Sequence, residues 1–193
     1  MKKIVFILVV VVLSFLVTGC GSKIEYLKGK SYVEIDVQDY GVIKLELNAD
    51  VAPITVTNFV NLVKEEFYDG LTFHRIIDGF MIQGGDPEHN GTGGSDKKIK
   101  GEFLANNVNN NISHKRGVIS MARSDDFNSA SSQFFIVHQD SEFLDGKYAA
   151  FGYVIEGMNV VDEIVKNVRV EDGNGTTLYE NQPIITSIRV VEN

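Results

Sequence analysis

The stretch Phe73-His74-Arg75-Ile76-Ile77-Asp78-Gly79-Phe80-Met81-Ile82-Gln83-Gly84-Gly85-Asp86 constrains this chain more than any other. It alternates as a strand does, with Phe73, Arg75 and Ile77 on one side and His74, Ile76 and Asp78 on the other. After a break at Gly79, Phe80, Ile82 and Gly84 alternate with Met81, Gln83 and Gly85. The apolar residues belong in a buried sheet. An arginine and a glutamine do not, because a desolvated polar group needs a partner. Either a salt bridge is hidden there or the pair faces a ligand, and the local sequence leaves both readings open.

The rest of the chain repeats short strand patterns. Ser31 to Val37 and Tyr40 to Leu47 alternate around Asp39-Tyr40-Gly41 and read as a hairpin. Pro53 opens a helix whose stripe of Val56, Phe59, Val60 and Val63 runs to about Phe67. From Asp86 to Asn111 the residues are mostly Gly, Asn, Asp and Lys, a loop of the length that is usually functional or mobile. Gly117 to Met121, Gln133 to Val137, Tyr148 to Val154 and Ile184 to Val191 read as further strands. Met158 to Val168 reads as a second helix with Val161, Ile164, Val165 and Val168 on one face. About eight short strands, two helices and no βαβ rhythm predict a mainly β fold, an antiparallel barrel capped by helices.

The amino terminus belongs outside the fold. Lys2 and Lys3 precede an apolar run, Ile4 to Val17, that is shorter than the roughly 20 residues of a membrane span. The run ends in Val17-Thr18-Gly19-Cys20, which resembles a bacterial lipobox, and Cys20 is the only cysteine. Residues 1–19 are thus expected to be a lipoprotein signal peptide. Residues 20–30 are expected to be a lipidated Cys20 and a polar tether, with one domain over 31–193. The expected place is the extracytoplasmic side of the cell membrane. Without residues 1–19 the chain carries 18 − 2 = 16 basic and 26 acidic residues, a formal charge of −10. Such a surface repels nucleic acid, so the lipid alone is the expected membrane contact.

Several chemistries are excluded by what the chain lacks. There is no Gly-x-Ser-x-Gly, and the single Cys is assigned to the lipid. His74, His89, His114 and His138 form no metal-binding spacing and read as ordinary surface or core residues. The glycines at 84–85 and 91–94 lack the Lys-Ser/Thr ending of a phosphate loop. No cofactor and no metal is expected.

Phe73-His74-Arg75-Ile76-Ile77 with Gly79-Phe80-Met81-Ile82-Gln83-Gly84-Gly85-Asp86 resembles the signature of cyclophilins, the peptidyl-prolyl cis-trans isomerases. The resemblance continues through Ser120-Met121-Ala122, Ser132-Gln133-Phe134-Phe135-Ile136, Phe143-Leu144-Asp145-Gly146-Lys147 and Phe151-Gly152, roughly Tyr32 to Val191 in all. It implies a closed eight-stranded antiparallel barrel with two capping helices. It implies Arg75 as the catalytic residue, a proline pocket of Phe80, Met81, Phe135 and Leu144, and Gln83 as a substrate-binding polar residue. Ala122 and Gln133 match positions lining the groove before the proline. Arg123 stands where eukaryotic members have Asn, a position that binds substrate mainly through its backbone. Phe143 replaces the Trp of drug-sensitive members, and Tyr148 replaces a frequent His. The implied partners are proline-containing segments of unfolded or exported proteins and, more weakly, cyclosporin-like cyclic peptides, bound by a monomer. A proline-binding module without turnover is the alternative, and Arg75 beside the aromatic pocket favours the enzyme.

Overall fold

The computed structural model describes residues 25–192; the expected signal peptide, Cys20 and the start of the expected tether lie outside the described residues. Strands β1 (Lys30–Val37) and β2 (Gly41–Asn48) form the hairpin, and α1 (Pro53–Lys64) follows. Strands β3 (Phe73–Ile77), β4 (Met81–Gly84), β5 (Val118–Met121), β6 (Phe134–Val137) and β7 (Ala150–Glu156) precede α2 (Met158–Asn167) and β8 (Ile185–Val191). All eight strands form one antiparallel sheet in the order β3-β4-β6-β5-β7-β2-β1-β8. Among the described residues no helix is long and apolar enough to cross a membrane.

The sheet curls so that its inward side chains fill one core. Phe59 of α1 meets Tyr68, Phe134 and Phe151 at ring separations of 5.1, 5.5 and 5.3 Å, and Phe73 lies 6.0 Å from Phe134. Val160, Val161 and Ile164 of α2 enter the same cluster, with Val165 and Val168 at its margin. The start of α1 has no side-chain cap from Ala52. Instead the Glu102 carboxylate accepts from the N–H groups of Ile54 (3.1 Å) and Thr55 (2.8 Å), an anion placed at a helix amino end. The 86–111 loop is therefore scaffolding as well as surface.

Three expectations need correction. The barrel is a half-barrel: β3 and β8 share no ladder, only an isolated bridge between Thr72 and Ile184 and neighbouring backbone bonds such as Ile185 N to Leu71 O (2.7 Å). Past Thr72, the free edge of β3 is taken by residues 175–177, with Ile76 N donating to Gly175 O at 2.9 Å. Gly175 has φ +79°, and a Cβ there would sit 2.3 Å from Ile76 O, so only glycine fits this approach. The folded domain takes in residues before 31, because Leu27 packs against the core and its N–H donates to Thr57 Oγ1 at 2.8 Å. The third correction concerns which way the residues of β3 face.

Candidate active site

Strict alternation would put Phe73 and Arg75 on one face. The register says otherwise: Phe73 pairs with Gly84 and Arg75 with Gln83, so His74 is an extra residue, a β-bulge. The bulge sends Phe73 and Ile76 into the inner core and leaves Arg75 and Ile77 on the outer face. In β4, likewise, Ile82 points inward while Met81 and Gln83 belong to the outer side. Phe80 joins them because it lies in the turn, before the strand begins. Across the outer face Arg75, Gln83, Phe135 and Ser120 stand opposite one another in one row.

The Arg75–Gln83 pair hides no salt bridge. Arg75 Nε donates to the backbone oxygen of Asn174 (2.8 Å) and Nη1 to Gln83 Oε1 (3.2 Å). Gln83 Nε2 in turn donates to Gln133 Oε1 (2.8 Å), and Gln133 Nε2 donates to the carbonyls of Gly91 (3.1 Å) and Gly93 (2.8 Å). The guanidinium is thus aimed by neutral acceptors, with three of its five donors uncommitted. Partial burial holds its pKa below the usual arginine value, opposed by Tyr148 and Asp172.

Beside this row opens a cavity of about 640 Å³. Its apolar part is floored by Met81, Phe135 and Leu144, which are 1%, 5% and 7% exposed, with Phe80 at its side. Arg75, Gln83, Ala122, Arg123 and Tyr148 form part of the wall, which continues through His89, Asn174 and Tyr179. The ring of Tyr148 meets that of Phe135 edge-on at 5.9 Å. Two expected residues stand off the wall. Gln133 belongs to an adjoining pocket, and Phe143 is a rim residue, 63% exposed and leaning on Phe80 at 5.5 Å.

The family described as cyclophilin type peptidyl-prolyl cis-trans isomerase/CLD matches residues 32–190. The chain belongs to the cyclophilin family. It is 42% identical over 140 residues to peptidyl-prolyl cis-trans isomerase B of Bacillus subtilis, covering 70% of this chain and 94% of that one. It is 44% identical over 151 residues to a peptidyl-prolyl cis-trans isomerase of Helicobacter pylori, covering 77% and 89%. A cyclophilin type isomerase of Cryptosporidium parvum, crystallised in the presence of the dipeptide Ala-Pro, superposes with a TM-score of 0.74 at 30% identity. That match covers 84% of this chain and 99% of the other. The chain therefore takes its place among peptidyl-prolyl isomerases, which are enzymes.

This cyclophilin builds its site partly from residues the sequence reading passed over. Asp172-Gly173-Asn174-Gly175 has the composition of a turn, yet the backbone oxygen of Asn174 orients Arg75, and Asp172 fixes the loop by accepting from Asn174 N (2.9 Å) and Thr176 N (3.1 Å). The Asp-Gly-Asn-Gly composition was the only signal, and it says turn without saying beside what. His74 was expected to face away from Arg75, but both line the cavity. Its imidazole is buried, with neither nitrogen hydrogen-bonded to the described residues. Burial pushes its pKa down to about 4, against the pull of Asp86. His114 is a core residue, as expected, and lies parallel to the Phe135 ring at 6.1 Å. It is held by Asp145 (2.8 Å) and Ser120 (3.0 Å). Among the described residues no three His, Cys, Asp or Glu gather as a metal site.

Proposed function

We propose that this chain accelerates rotation of X-Pro bonds in exported proteins, with Arg75 assisting and the Phe80–Met81–Phe135–Leu144 pocket holding the prolyl ring. The observation that carries this reading is a guanidinium aimed by neutral acceptors at the mouth of an apolar pocket. Amide resonance sets a barrier of about 18–20 kcal/mol, and an uncatalysed X-Pro bond turns over in tens of seconds. Millisecond turnover requires about 10⁴-fold acceleration, or roughly 5.5 kcal/mol.

In the twisted transition state the prolyl nitrogen becomes pyramidal and regains a lone pair. A free N–H of Arg75 can donate to that lone pair, which the planar ground state does not offer, so the bond is differential. A charge-assisted hydrogen bond contributes about 1.5–3 kcal/mol. The remainder is assigned to the apolar pocket: the planar form carries more separated charge than the twisted one, so excluding water disfavours it. Every donor and apolar surface this needs comes from the chain itself.

The lipobox-like Val17-Thr18-Gly19-Cys20 after an apolar run supports anchoring of this activity at the outer face of the cell membrane. A diacylglyceryl group on Cys20 with a second acyl chain would hold a monomeric domain there, two chains being what stable anchoring takes. Proline-containing segments of unfolded exported proteins are the substrates. Two measurements test the reading. Cis-to-trans conversion of a short Ala-Pro peptide should be accelerated in proportion to enzyme concentration; no acceleration would leave only a binding module. Radioactive palmitate should label the full chain but not Cys20→Ser, and label in that variant would refute the anchor.

A further inference from the structure

Beyond the wall formed by Gln83, Gly91, Ala122 and Arg123, the cavity is joined by a second pocket of about 360 Å³ of different character. Its lining is rich in hydroxyls, and the buried Ser95 hydroxyl has no hydrogen-bond partner among the described residues. It contains two cations, Lys98 and Arg123, and no acidic residue. Neither cation takes part in the ion pairs of the described residues. This occurs in a chain of formal charge −8, with Asp86 and Glu88 approaching the lining at Gly93.

Arg123 is fixed as a wall. Its guanidinium lies 4.7 Å from the Tyr148 ring centroid, 4.9 Å from Phe127 and 5.2 Å from Phe103. Its Nε and Nη2 donate to Lys147 O (3.1 and 2.9 Å) and Nη1 to Ser124 O (2.7 Å). These acceptors are neutral, so the positive charge is held in place without being cancelled. Arg123 lines both pockets.

We propose that the second pocket selects a carboxylate side chain, Asp or Glu, two residues before the proline. The inference rests on the isomerase reading above. Side chains of an extended peptide return to the same side every second residue, about 7 Å apart. With the prolyl ring in the apolar pocket and its nitrogen at Arg75, the preceding chain passes Gln83, which both pockets share. The carboxylate then enters between Lys98 and Arg123.

The test uses capped, otherwise neutral X-Ala-Pro-Phe peptides with X as Glu, Gln or Lys, and magnetisation-exchange NMR to give kcat/KM. The expected order is Glu above Gln above Lys, each step about three- to fivefold, the range of a solvent-accessible ion pair. The steps should collapse in 1 M salt, where the Debye length is about 3 Å. Lys98→Glu, an exposed substitution away from the proline pocket, should flatten or invert the order while the Gln peptide stays within about twofold of wild type. Glu two residues after the proline should bring no gain. Equal rates for the three peptides, an unchanged order in Lys98→Glu, or a gain only for the downstream Glu would each overturn the proposal while leaving the isomerase intact. Absence of turnover with all peptides would remove the underlying reading as well.

Discussion

Two apolar clusters share the strands of this sheet and differ in what covers them. The inner one, around Phe59, Phe73, Phe134 and Phe151, is sealed, with each of these rings at 0% exposure. The outer one, around Met81, Val118, Phe135, Val137 and Leu144, is nearly as buried but ends in an open wall of Phe80, Ala122 and Tyr148. Strand β6 serves both, sending Phe134 inward and Phe135 outward. Depth of burial therefore does not separate scaffold from site. What separates them is the polar row beside the outer cluster, Arg75 to Gln83 to Gln133, whose donors are not all used. The inner cluster should carry stability, and the outer one activity.

The sharpest way to break this division is to open the sealed side. Phe134→Ala removes a ring that touches Phe59, Tyr68 and Phe73, and should cost about 3–5 kcal/mol in urea unfolding. A loss below about 1 kcal/mol would mean the inner cluster is not the main support.

Next is acid. His74 has its folded pKa near 4, below the ordinary histidine value of 6.5, so the unfolded chain binds the extra proton. Its contribution is fully present above about pH 6.5 and is lost as pH falls toward 4, amounting to about 2–3 kcal/mol between pH 7 and 4.5. His114, also lowered by burial, acts in the same direction. His74→Gln should show a shallower fall in stability on acidification than wild type. An identical slope would take His74 out of the account. Activity tells the opposite story: with His74 neutral and Arg75 charged, kcat/KM on a non-ionising peptide should vary less than about twofold from pH 6 to 9.

On the open side, Arg75→Ala should reduce kcat/KM by about 10- to 100-fold, or about 1.5–3 kcal/mol, with unfolding free energy within about 0.5 kcal/mol of wild type. Arg75→Lys should not restore the rate, because a point charge on a flexible stem lacks the fork that Asn174 and Gln83 orient. Equal damage to stability and activity would erase the distinction between the two clusters. The smallest expected effect is at the rim. Phe143 is exposed and has no donor, so Phe143→Trp should tighten cyclosporin inhibition by about three- to tenfold through one indole N–H, without altering peptide turnover by more than about twofold. Equal inhibition constants would show that the indole contact is unimportant here.

Whatever depends on near neighbours was legible in the sequence. The strand and helix boundaries lie within a few residues of their expected places, because alternation, helical stripes and turn glycines act over short separations. The apolar side chains expected to hold the prolyl ring do lie together, and the motifs that carry them were recognisable in order. What the tertiary structure decided is what joins distant residues. The bulge at His74 exists only in register with β4, and it reverses the facing that alternation assigns to Phe73 and Arg75. Arg75 takes its orientation from Asn174, 99 residues away, and α1 takes its cap from Glu102, 47 residues beyond Thr55. The sheet stays open because residues 175–177, and not β8, occupy the edge of β3. Such partners carry no local pattern, because the chain between them is free to vary until the fold brings them within hydrogen-bonding distance.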